Sequence, residues 1–472
     1  MIADLRPYGD TRDSRVSWLG EVPDQWKVLP GRACYRERAI PNSGMQESQV
    51  LSLSFGRIVV KSDDRLRGLV PESFETYQIV EPRDIVVRPT DLQNDWNSLR
   101  FALSPHRGII TSAYICLRTQ GEMTREYGYL LLHAYDLKKI FYGLGSGLRQ
   151  NLDWEDFKSL PCLVPPVAEQ DAVVRFLDHA DRRIRRATRA KQKMIALLNE
   201  QKQAVIHRAV TRGLDPNVRL KPSGMDWLGD VPVHWEVWRI GRLGRIGNGS
   251  TPSRSHQAYW DGGTRPWLNS SSVNRGRIRH ADQFVTDLAL QECHLPRLTP
   301  GTLLVAITGQ GRTRGTAAIL EMEATINQHM AYIAPDRDRV ISEYLRLSLI
   351  AAYPELRRIS DGSGSTKGAL TCGDLSQFKV ALPPQDEQGR IVAAVETSVG
   401  EIERAIAGSA ASIDLLNEYR SRLITDVVTG RLDVRDAAAS LPEESRDSEL
   451  LDDIAVEQMA EPDVEGLEPI EA

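Results

Sequence analysis

The stretch Trp18-Leu-Gly-Glu-Val-Pro-Asp-Gln-Trp26 recurs 209 residues later as Trp227-Leu-Gly-Asp-Val-Pro-Val-His-Trp235. A second pair of matching stretches lies 218 residues apart, namely Pro165-Pro166-Val-Ala-Glu169-Gln170 and Pro383-Pro384-Gln-Asp-Glu387-Gln388. Self-similarity at a fixed offset is the signature of a repeated structural unit. The chain therefore contains two copies of one unit, and the second copy has nine extra residues between its matching ends.

The regions between these shared ends are dissimilar. Residues 30–140 and 240–350 show no obvious matching motif. One interpretation is a common frame that holds interchangeable inserts. The other is an old duplication whose middle parts have drifted apart, and the sequence leaves both open.

Each Pro-Pro stretch leads into a long segment with a helical pattern. Residues 168–210 contain no proline or glycine and are rich in good helix formers. Apolar residues recur there at spacings of four and three, the seam of a coiled coil. We predict long helices over 167–212 and 385–432, each about 42 residues or more and roughly 63 Å long. The predicted seam consists of Val173, Leu177, Ile184, Met194 and Leu198 in the first helix, and of Ile391, Val395, Ile402, Leu416 and Leu423 in the second.

An apolar seam needs a partner, and the nearest one is the seam of the other helix. Duplicated units usually pair about a two-fold axis, which predicts antiparallel helices with one globular unit at each end. The alternative is that each helix packs only on its own globular unit.

The globular parts show short strand-like runs, such as Ile85-Val-Val87, separated by polar, glycine-rich turns. Shorter helical patterns occupy residues 127–135 and 342–352. The expected fold class is a mixed α/β (α+β) architecture in two copies, joined by two long antiparallel coiled-coil helices. The predicted order is a globular domain at 1–166, a helix at 167–212, a globular domain at 213–384, a helix at 385–432 and an acidic tail at 433–472.

Composition places the chain among soluble globular proteins, with 41% hydrophobic and 26% charged residues. The sequence lacks an apolar run of 18 residues and a signal-peptide pattern at its start, so we expect a cytoplasmic location. The five cysteines are far apart, which favours reduced structural thiols over disulfides or a metal cluster.

The net charge of −5 is unevenly distributed. Residues 436–472 have thirteen acidic residues and one basic residue, a net of −12, which leaves +7 on residues 1–435. A basic folded part favours a polyanion as partner, because Lys and Arg neutralise phosphates. The acidic tail is expected to be disordered and to act as a passive solubilising extension.

Several polar loops have the chemistry for contacts with DNA. Arginine can hydrogen-bond to guanine, and asparagine or glutamine to adenine, in the major groove. The alternative for each loop is an ordinary solvated turn. The candidates are Arg88, Thr90, Gln93 and Asn94 in the first unit, and Asn248, Ser250, Thr251, Asn269, Ser271, Asn274, Arg275, Gln310, Arg312, Thr313 and Arg314 in the second.

Both units also place a Gly/Ser turn and one basic residue ahead of the long helix. These turns are Gly145-Ser-Gly147-Leu-Arg149 and Gly362-Ser-Gly-Ser-Thr-Lys367. Glycine backbones with a nearby cation suit a phosphate clamp, which makes Arg149 and Lys367 candidates. A turn at the entry to a helix, with a solvated basic residue, explains the pattern equally well.

Catalytic and metal-binding signatures are missing from the sequence. The loop at Gly309 misses the dinucleotide fingerprint by one residue, and the Gly362 turn lacks the order of a P-loop. The nine histidines are dispersed and lack metal-ligand spacing. We therefore expect this chain to be neither an enzyme nor a metal-binding protein.

Three motifs taken together resemble one known family. They are W-L-G-x-V-P-x-x-W at the start of each half, P-P-x-x-E-Q before each long helix, and Y-W-x-G-G-x-x-P-W at residues 259–267. Over about residues 16–433 the chain resembles the specificity subunits of Type I restriction-modification systems. The first unit has no recognisable counterpart of residues 259–267.

The resemblance implies two target recognition domains that each bind one half of a split sequence in double-stranded DNA. It further implies that the two helices set the unread gap and hold two modification subunits. S-adenosylmethionine, ATP and Mg²⁺ would belong to the partner methyltransferase and motor-nuclease (restriction) subunits, with no cofactor on this chain. The half-sites would lie about one helical turn, roughly 34 Å, apart. The alternative function is a helical scaffold that binds proteins but not DNA.

Overall fold

The computed structural model describes residues 5–61, 73–145, 150–309, 311–362 and 368–442. The chain divides into two compact units: the first comprises Met1–Arg189 with Ile413–Ala472, and the second comprises Ala190–Ser412. Each unit therefore contains one globular domain and a part of each long helix. The sequence had suggested a linear succession of separate domains and helices.

The first unit contains twelve short strands among its described residues. The strands are β1 (Thr11–Asp13), β2 (Glu21–Pro23), β3 (Lys27–Pro30), β4 (Tyr35–Glu37), β5 (Leu51–Ser54), β6 (Arg57–Val60), β7 (Gln78–Val80), β8 (Ile85–Val87), β9 (Phe101–Leu103), β10 (Gly108–Ile110), β11 (Ile115–Thr119) and β12 (Pro161–Val164). The helices are α1 (Gly31–Cys34), α2 (Arg125–Leu137), α3 (Trp154–Lys158), the long α4 (Val167–Arg212), which continues into the second unit, and α10 (Arg435–Ala439).

The second unit contains a further twelve strands among its described residues. The strands are β13 (Leu220–Pro222), β14 (Asp230–Pro232), β15 (Glu236–Arg239), β16 (Gly244–Asn248), β17 (Arg265–Leu268), β18 (Arg277–Ile278), β19 (Gln283–Val285), β20 (Leu303–Ala306), β21 (Ala317–Leu320), β22 (Thr325–Ile326), β23 (Met330–Pro335) and β24 (Lys379–Leu382). The helices are α5 (Asp287–Glu292), α6 (Ser342–Ala351), α7 (Tyr353–Asp361), α8 (Cys372–Gln377) and the long α9 (Gln385–Val428), which continues into the first unit.

The repeated motifs form the same frame in both units. Strand β1 pairs with β2 and β3 with β12, and the corresponding pairs in the second unit are β13 with β14 and β15 with β24. The second tryptophan of each motif, Trp26 or Trp235, is fully buried beneath this frame. The matching ends of the two copies thus fold alike and enclose the middle regions.

The middle regions also share a sheet topology, although they share no motif. The first unit has a four-stranded sheet in the order β4-β11-β8-β9. The second has β16-β23-β20-β21, with β18 added at the edge. In both, the four strands lie in the chain order 1-4-2-3 and pair antiparallel. The predicted mixed α/β fold class is confirmed, and the two dissimilar middles are variants of one sheet.

The two long helices pair antiparallel. In the second unit Met194 Sδ lies 3.8 Å from Ser409 Oγ, and Lys202 forms an ion pair with Glu403. In the first unit the Arg420 guanidinium donates to Asp181. Helix α4 coincides with the predicted range, whereas α9 ends at Val428, ahead of Gly430, whose positive φ of 74° stops the helix.

The predicted seam is buried mainly beside the globular domains. The buried members are Val173, Leu177, Ile184, Ile391, Val395, Ile402 and Leu423, whereas Leu198 and Leu416 are half-buried. Met194 does not fit the prediction, because 52% of it is exposed. Its contact on α9 is the small Ser409, which leaves little apolar surface to cover it.

Each globular domain contacts both helices. In the first unit the Tyr127 hydroxyl donates to the Val428 carbonyl of α9 at 3.4 Å, and Val173 of α4 lies in the same core. In the second unit the Tyr344 hydroxyl donates to the Val210 carbonyl of α4, also at 3.4 Å. The alternative in which each helix packs only on its own domain is therefore wrong.

The segment after α9 differs from the prediction. Residues 434–442 were expected to belong to a disordered tail, but they include α10 and pack on the first unit. Val434, Ala438 and Leu441 are buried, which explains why this part of the tail is ordered. Residues 443–472 lie outside the described residues. All five cysteines are free.

Candidate nucleic-acid interface

The first set of predicted DNA contacts lies on one hairpin. Strands β8 and β9 are antiparallel neighbours, and residues 88–100 connect them. This connection, the β8–β9 loop, contains Arg88, Thr90, Gln93 and Asn94. The four candidates are therefore brought together on one side of the sheet.

A buried arginine holds the β8–β9 loop from inside. Arg100 is fully buried immediately before β9. A buried guanidinium must satisfy its donors with nearby acceptors. Its nitrogens lie 2.7–3.3 Å from the carbonyl oxygens of Arg88, Thr90, Asp91 and Asp95. These bonds fix the backbone of the loop and leave the Gln93 and Asn94 side chains exposed.

Two of the four candidates are partly engaged within the loop. The Arg88 guanidinium lies 3.3 Å from the Asp95 carboxylate, and Asn94 Nδ2 donates to Asp91 at 2.9 Å. Thr90 is half-buried and accepts from Arg100 through its carbonyl. Gln93 is the most available of the four, since it is exposed and only its carbonyl accepts a bond, from Trp96 Nε1.

The same loop presents an aromatic side chain that the sequence did not single out. Trp96 is 54% exposed and stacks on Tyr142, with ring centroids 4.6 Å apart. The Lys139 ammonium lies 4.7 Å from the Tyr142 ring centroid on this surface. An exposed aromatic beside a cation suits contact with a nucleic acid. A lone tryptophan in a polar loop gave no sequence signal for this role.

The residues that follow the Gly/Ser turn of the first unit lie next to the β8–β9 loop. The Asp91 amide donates to Asn151 Oδ1 at 3.0 Å, and the Leu152 amide donates to the Pro89 carbonyl at 2.9 Å. The predicted clamp residue Arg149 lies outside the described residues. Asn151 and Leu152, which follow this turn in the sequence, contact the hairpin, which the sequence could not show.

The second unit has its candidate loop at the equivalent place. Residues 307–316 connect β20 and β21, the strands that correspond to β8 and β9. Arg312 is exposed and Thr313 is half-buried on this β20–β21 loop. The Tyr353 hydroxyl and the Arg357 guanidinium hold the loop through the carbonyls of Arg312 and Gly311 at 3.0 and 2.7 Å. The candidate Gln310 lies outside the described residues.

Arg314 does not behave as predicted. Only 6% of its side chain is exposed, and Nη1 donates to the Gly368 carbonyl at 2.8 Å while Nη2 contacts the Asp361 carboxylate. An arginine whose donors are used inside the fold is unavailable to a base edge. Arg314 instead ties the β20–β21 loop to Asp361 and Gly368, which come before and after the Gly/Ser turn in the sequence. The candidate Lys367 lies outside the described residues.

A chain of polar contacts joins three loops of the second unit. The Thr251 hydroxyl contacts Gln328, and Gln328 Nε2 lies 3.2 Å from His329 Nε2. On its other side, His329 Nδ1 lies 2.7 Å from the Thr308 hydroxyl. Gln328 and His329 are exposed and follow the buried β22 after one residue, Asn327. The rule that polar residues after a buried strand form sites would have identified them, but they were missed.

Two more candidates lie near these loops. Asn248 is exposed at the end of β16, and the Ser250 amide donates to the Ile326 carbonyl at 3.1 Å. Trp267, the last residue of the Y-W-x-G-G-x-x-P-W motif, is buried and donates through Nε1 to the Ser250 carbonyl at 3.1 Å. That motif therefore supports the loop that precedes it.

The remaining candidates occupy the 3₁₀ helix Ser270–Arg275. Asn269 caps this helix by accepting from the Ser271 amide at 3.1 Å, and Arg275 bonds to Asp282. Asn274 Nδ2 lies 3.4 Å from the Thr313 hydroxyl, which connects this helix to the β20–β21 loop. Ser271 and Asn274 are exposed, whereas the Asn269 side chain is used as a cap.

Metal centres and membrane-crossing helices are both absent from the described part of the chain. Within the described ranges, no group of three or more His, Cys, Asp or Glu side chains could hold a metal ion. The helices in the same ranges include none that is both long and apolar enough to cross a bilayer.

A family model, described as the Type I restriction modification DNA specificity domain, matches residues 232–407. The matched region contains the β20–β21 loop and the polar chain around Gln328. Residues 232–407 of the second unit are therefore similar to the DNA specificity domain of Type I restriction-modification systems. The resemblance in the frame motifs is thereby confirmed, and the relatives are named as specificity subunits of Type I restriction enzymes.

Two relatives come from Methanocaldococcus jannaschii. The specificity subunit of the Type I restriction enzyme MjaIX is 31% identical over 171 residues, which cover 35% of this chain and 38% of that relative. The chain thus matches less than two fifths of that protein's length. The putative Type I restriction enzyme MjaX specificity subunit is 22% identical over 432 residues, covering 88% of this chain and 96% of the relative.

One solved structure supports the fold of this chain. It concerns the complex assembly and conformational transition of a type I restriction-modification system. Its matching chain has a TM-score of 0.63 and 16% identity, with 86% of this chain and 98% of that chain covered. At this identity the likeness establishes a shared fold.

Proposed function

We propose that the chain selects the DNA target of a Type I restriction-modification complex and that each unit binds one half of a split sequence. The observation behind this proposal is the pair of equivalent hairpins. The β8–β9 and β20–β21 loops occupy the same place in two equivalent sheets, one in each unit, but they present different polar side chains. Two domains that bind different half-sites need loops at equivalent positions that carry different side chains.

The exposed side chains suit contacts with base edges in the major groove. Gln93 and Asn94 in the first unit can bond to adenine, and Arg312 in the second can bond to guanine. Gln328 adds a further amide in the second unit, in contact with Thr251. The net charge of +7 on residues 1–435 supplies salt-dependent affinity for the phosphates.

The paired helices α4 and α9 would set the number of unread base pairs between the half-sites. Two modification subunits would bind S-adenosylmethionine and methylate adenine. Restriction subunits would use ATP and Mg²⁺ to translocate and cut DNA. In this division of labour the chain binds and positions DNA, and the flipping and modification of the base belong to the methyltransferase.

Sequencing of modified bases in the host, with and without the gene, tests the proposal directly. The expected result is the loss of one split methyladenine motif when the gene is removed. That motif then defines the duplex for a gel shift with the modification partner, alongside a duplex with both halves scrambled. Equal weak binding to both duplexes would refute target selection by this chain.

Loop variants then assign each half-site to one unit. The double variant Gln93→Ala with Asn94→Ala should relax only one half of the motif, and Arg312→Ala with Gln328→Ala only the other. Each added mismatch or lost contact should cost about 1–3 kcal/mol of discrimination. Matched controls are Lys27→Ala and Arg390→Ala, which alter exposed ion pairs on the frame and on α9 and should leave the motif unchanged.

A further inference from the structure

An exposed phenylalanine lies at the tip of a hairpin in the first unit. Strands β5 and β6 pair antiparallel, and the two-residue turn Phe55-Gly56 joins them. We refer to these strands and their turn as the β5–β6 hairpin. Phe55 is 88% exposed, the largest exposed fraction among the large hydrophobic side chains of the described residues. Its ring therefore contributes almost nothing to the core.

The backbone of this turn disfavours a large side chain. Phe55 has a φ of 48° and Gly56 a φ of 74°, and positive φ at both central residues is the mark of a type I′ turn. Such turns favour Asn, Asp or Gly at the first of these positions, because a bulky residue is strained at positive φ. A single exposed apolar residue is common on protein surfaces. Phe55 is both exposed and strained, and this combination favours a functional role over a structural one.

The β5–β6 hairpin is packed on the strands that carry the β8–β9 loop. Leu51, Leu53 and Ile58 are buried in one cluster with Val86 of β8 and Ala102 of β9. Leu51 and Leu53 are two residues apart on β5, and Ile58 of β6 pairs with Leu53, so all three belong to one face of the hairpin. Packing of this face fixes the position of the hairpin on the central sheet.

The tip of the hairpin contacts the β8–β9 loop. A Cβ on Gly56 would lie 3.0 Å from Leu99 Cβ, which is closer than side chains normally approach. Glycine is therefore needed here for this close approach as well as for its positive φ. Leu99 is half-buried near the end of the loop. Phe55, the preceding residue of the turn, thus lies at the border of the loop that carries Gln93 and Asn94.

The polar side chains of the β8–β9 loop can recognise only part of an A·T base pair. The exposed amides of Gln93 and Asn94 suit adenine. In the major groove, thymine presents an acceptor oxygen and a 5-methyl group. A methyl group forms no ordinary hydrogen bond, so an apolar side chain must detect it, and phenylalanine is among those that make this contact. Phe55 supplies such a ring at the border of the polar loop.

We propose that Phe55 recognises the 5-methyl group of a thymine in the half-site bound by the first unit. This inference rests on the proposed function, since it requires the β8–β9 loop to enter the major groove of a specific target. Phe55 is then a specificity-determining residue that complements the amides of the loop. Contact with the methyl group buries a ring that the free protein leaves in water, which gives the exposed position a purpose.

Removal of single methyl groups from the DNA tests this contact. The full chain, assembled with its modification partner, is bound to a duplex that carries the motif found by sequencing of modified bases. Thymines in and beside the half-site assigned to the first unit are replaced one at a time by deoxyuridine, which lacks only the 5-methyl group. At one position the replacement should weaken binding roughly fourfold, the size expected for one buried methyl group.

Variants of Phe55 should abolish this effect. With Phe55→Ala, affinity for the thymine duplex should fall roughly fourfold or more, and deoxyuridine should then have no further effect. Phe55→Asn suits the type I′ turn, so it should retain or raise the melting temperature while it removes the methyl effect. A purely structural residue would not give that combination. The matched control is Val59→Ala, which changes an exposed apolar residue of the same hairpin away from its tip and should keep the deoxyuridine effect.

Two results would overturn the proposal. One is a deoxyuridine effect that is absent at every position, or equal in the original chain and in Phe55→Ala. The other is that Phe55→Ala leaves DNA affinity unchanged but weakens binding of the modification partner, which would assign the ring to a protein interface. Failure of target selection is distinguishable from both, because the original chain would then bind the motif and the scrambled duplex equally.

Discussion

The two globular domains agree closely in the contacts that face the long helices and differ in the loops on their central sheets. Gln170 and Gln388 are both fully buried and make the same three hydrogen bonds. The side-chain amide of each glutamine donates to a proline carbonyl and to a second backbone carbonyl. Its side-chain oxygen accepts from the backbone amide of the N-cap residue of α2 or α6. The β8–β9 and β20–β21 loops share only their position. The buried contacts are the same in the two domains and belong to residues that assemble the frame. The exposed loop side chains differ and belong to residues that are available to select a target.

Removal of a buried loop arginine should have the largest effect. Arg100→Met leaves the carbonyls of the β8–β9 loop without their internal donor, so the first unit should lose about 3–5 kcal/mol of unfolding free energy, as when one partner of a buried charge network is removed. Arg314→Met should be milder, because the Arg314 guanidinium bonds to the Gly368 carbonyl and the Asp361 carboxylate, which lie outside its own loop. Urea denaturation monitored by tryptophan fluorescence measures both.

If Arg100→Met and Arg314→Met impaired the same half of the methylated motif, the two loops would not have equivalent and separate roles. Each should impair only its own half. Arg100→Lys serves as a control for charge, because an ammonium retains the charge but cannot reach four carbonyls at once.

The paired frame glutamines should give equal losses. Gln170→Ala and Gln388→Ala each expose the same unsatisfied groups at the start of α2 or α6, and each should cost about 2–3 kcal/mol. Hydrogen exchange of the first turns of α2 and α6 reports the local effect. A loss in one unit more than twice that in the other would show that the frame contacts are not equivalent.

The frame glutamates should give unequal losses, although they occupy matching positions. Glu169 is buried and accepts from Trp26 Nε1 at 2.9 Å and from the Tyr8 hydroxyl, whereas Glu387 lies 2.8 Å from the half-exposed His234. Glu169→Gln should cost about 1–2 kcal/mol and Glu387→Gln less than about 1 kcal/mol. Thermal unfolding of both variants at pH 7 tests the difference, and a larger loss for Glu387→Gln would contradict it.

The smallest effect concerns the support of Arg100 by α2. Asp136 accepts from the Arg100 amide at 2.9 Å, and burial raises the pKa of its carboxyl to about 6. Because this folded pKa exceeds that of the unfolded chain, the unfolded state loses its proton first, and stability falls as the pH rises from about 4 to 6. Asp136→Asn should therefore gain about 1 kcal/mol at pH 7.5 relative to the original chain.

The gain from Asp136→Asn should disappear as the pH approaches 4, where the original carboxyl is protonated in both states. Melting temperatures across this pH range provide the measurement. A constant difference at all pH values would show that the substitution acts through packing and not through ionisation.

The helices and the frame were predictable because their signals are long or repeated. The sequence of helix α4 has helix-forming residues and no proline or glycine over many turns, and the frame motifs occur twice. The shared central sheet was not predictable, because its strands are three to six residues long and the two versions have no motif in common. Only the pairing of β8 with β9 and of β20 with β21 shows that the two candidate loops are equivalent.

Some of the candidate site residues were predictable from the sequence and others were not. Residue type placed Gln93 and Arg312 in the correct loops, but it could not distinguish the exposed Arg312 from the buried Arg314 two residues later. Arg100 gave no signal, since a single arginine before a short apolar run resembles an ordinary strand start. The joining of the Thr251, Thr308 and Gln328 loops depends on tertiary contacts between residues as many as 77 positions apart.

The internal anchoring of the β8–β9 loop has a consequence for how this protein can evolve. Arg100 bonds to backbone carbonyls, which every amino acid possesses, so the support is indifferent to the side chains at positions 93 and 94. Mutations at those positions change chemistry without removing an anchor. Point mutations at positions 93 and 94 can therefore change which DNA sequence the loop would bind. The stability of the loop depends separately on the buried Arg100.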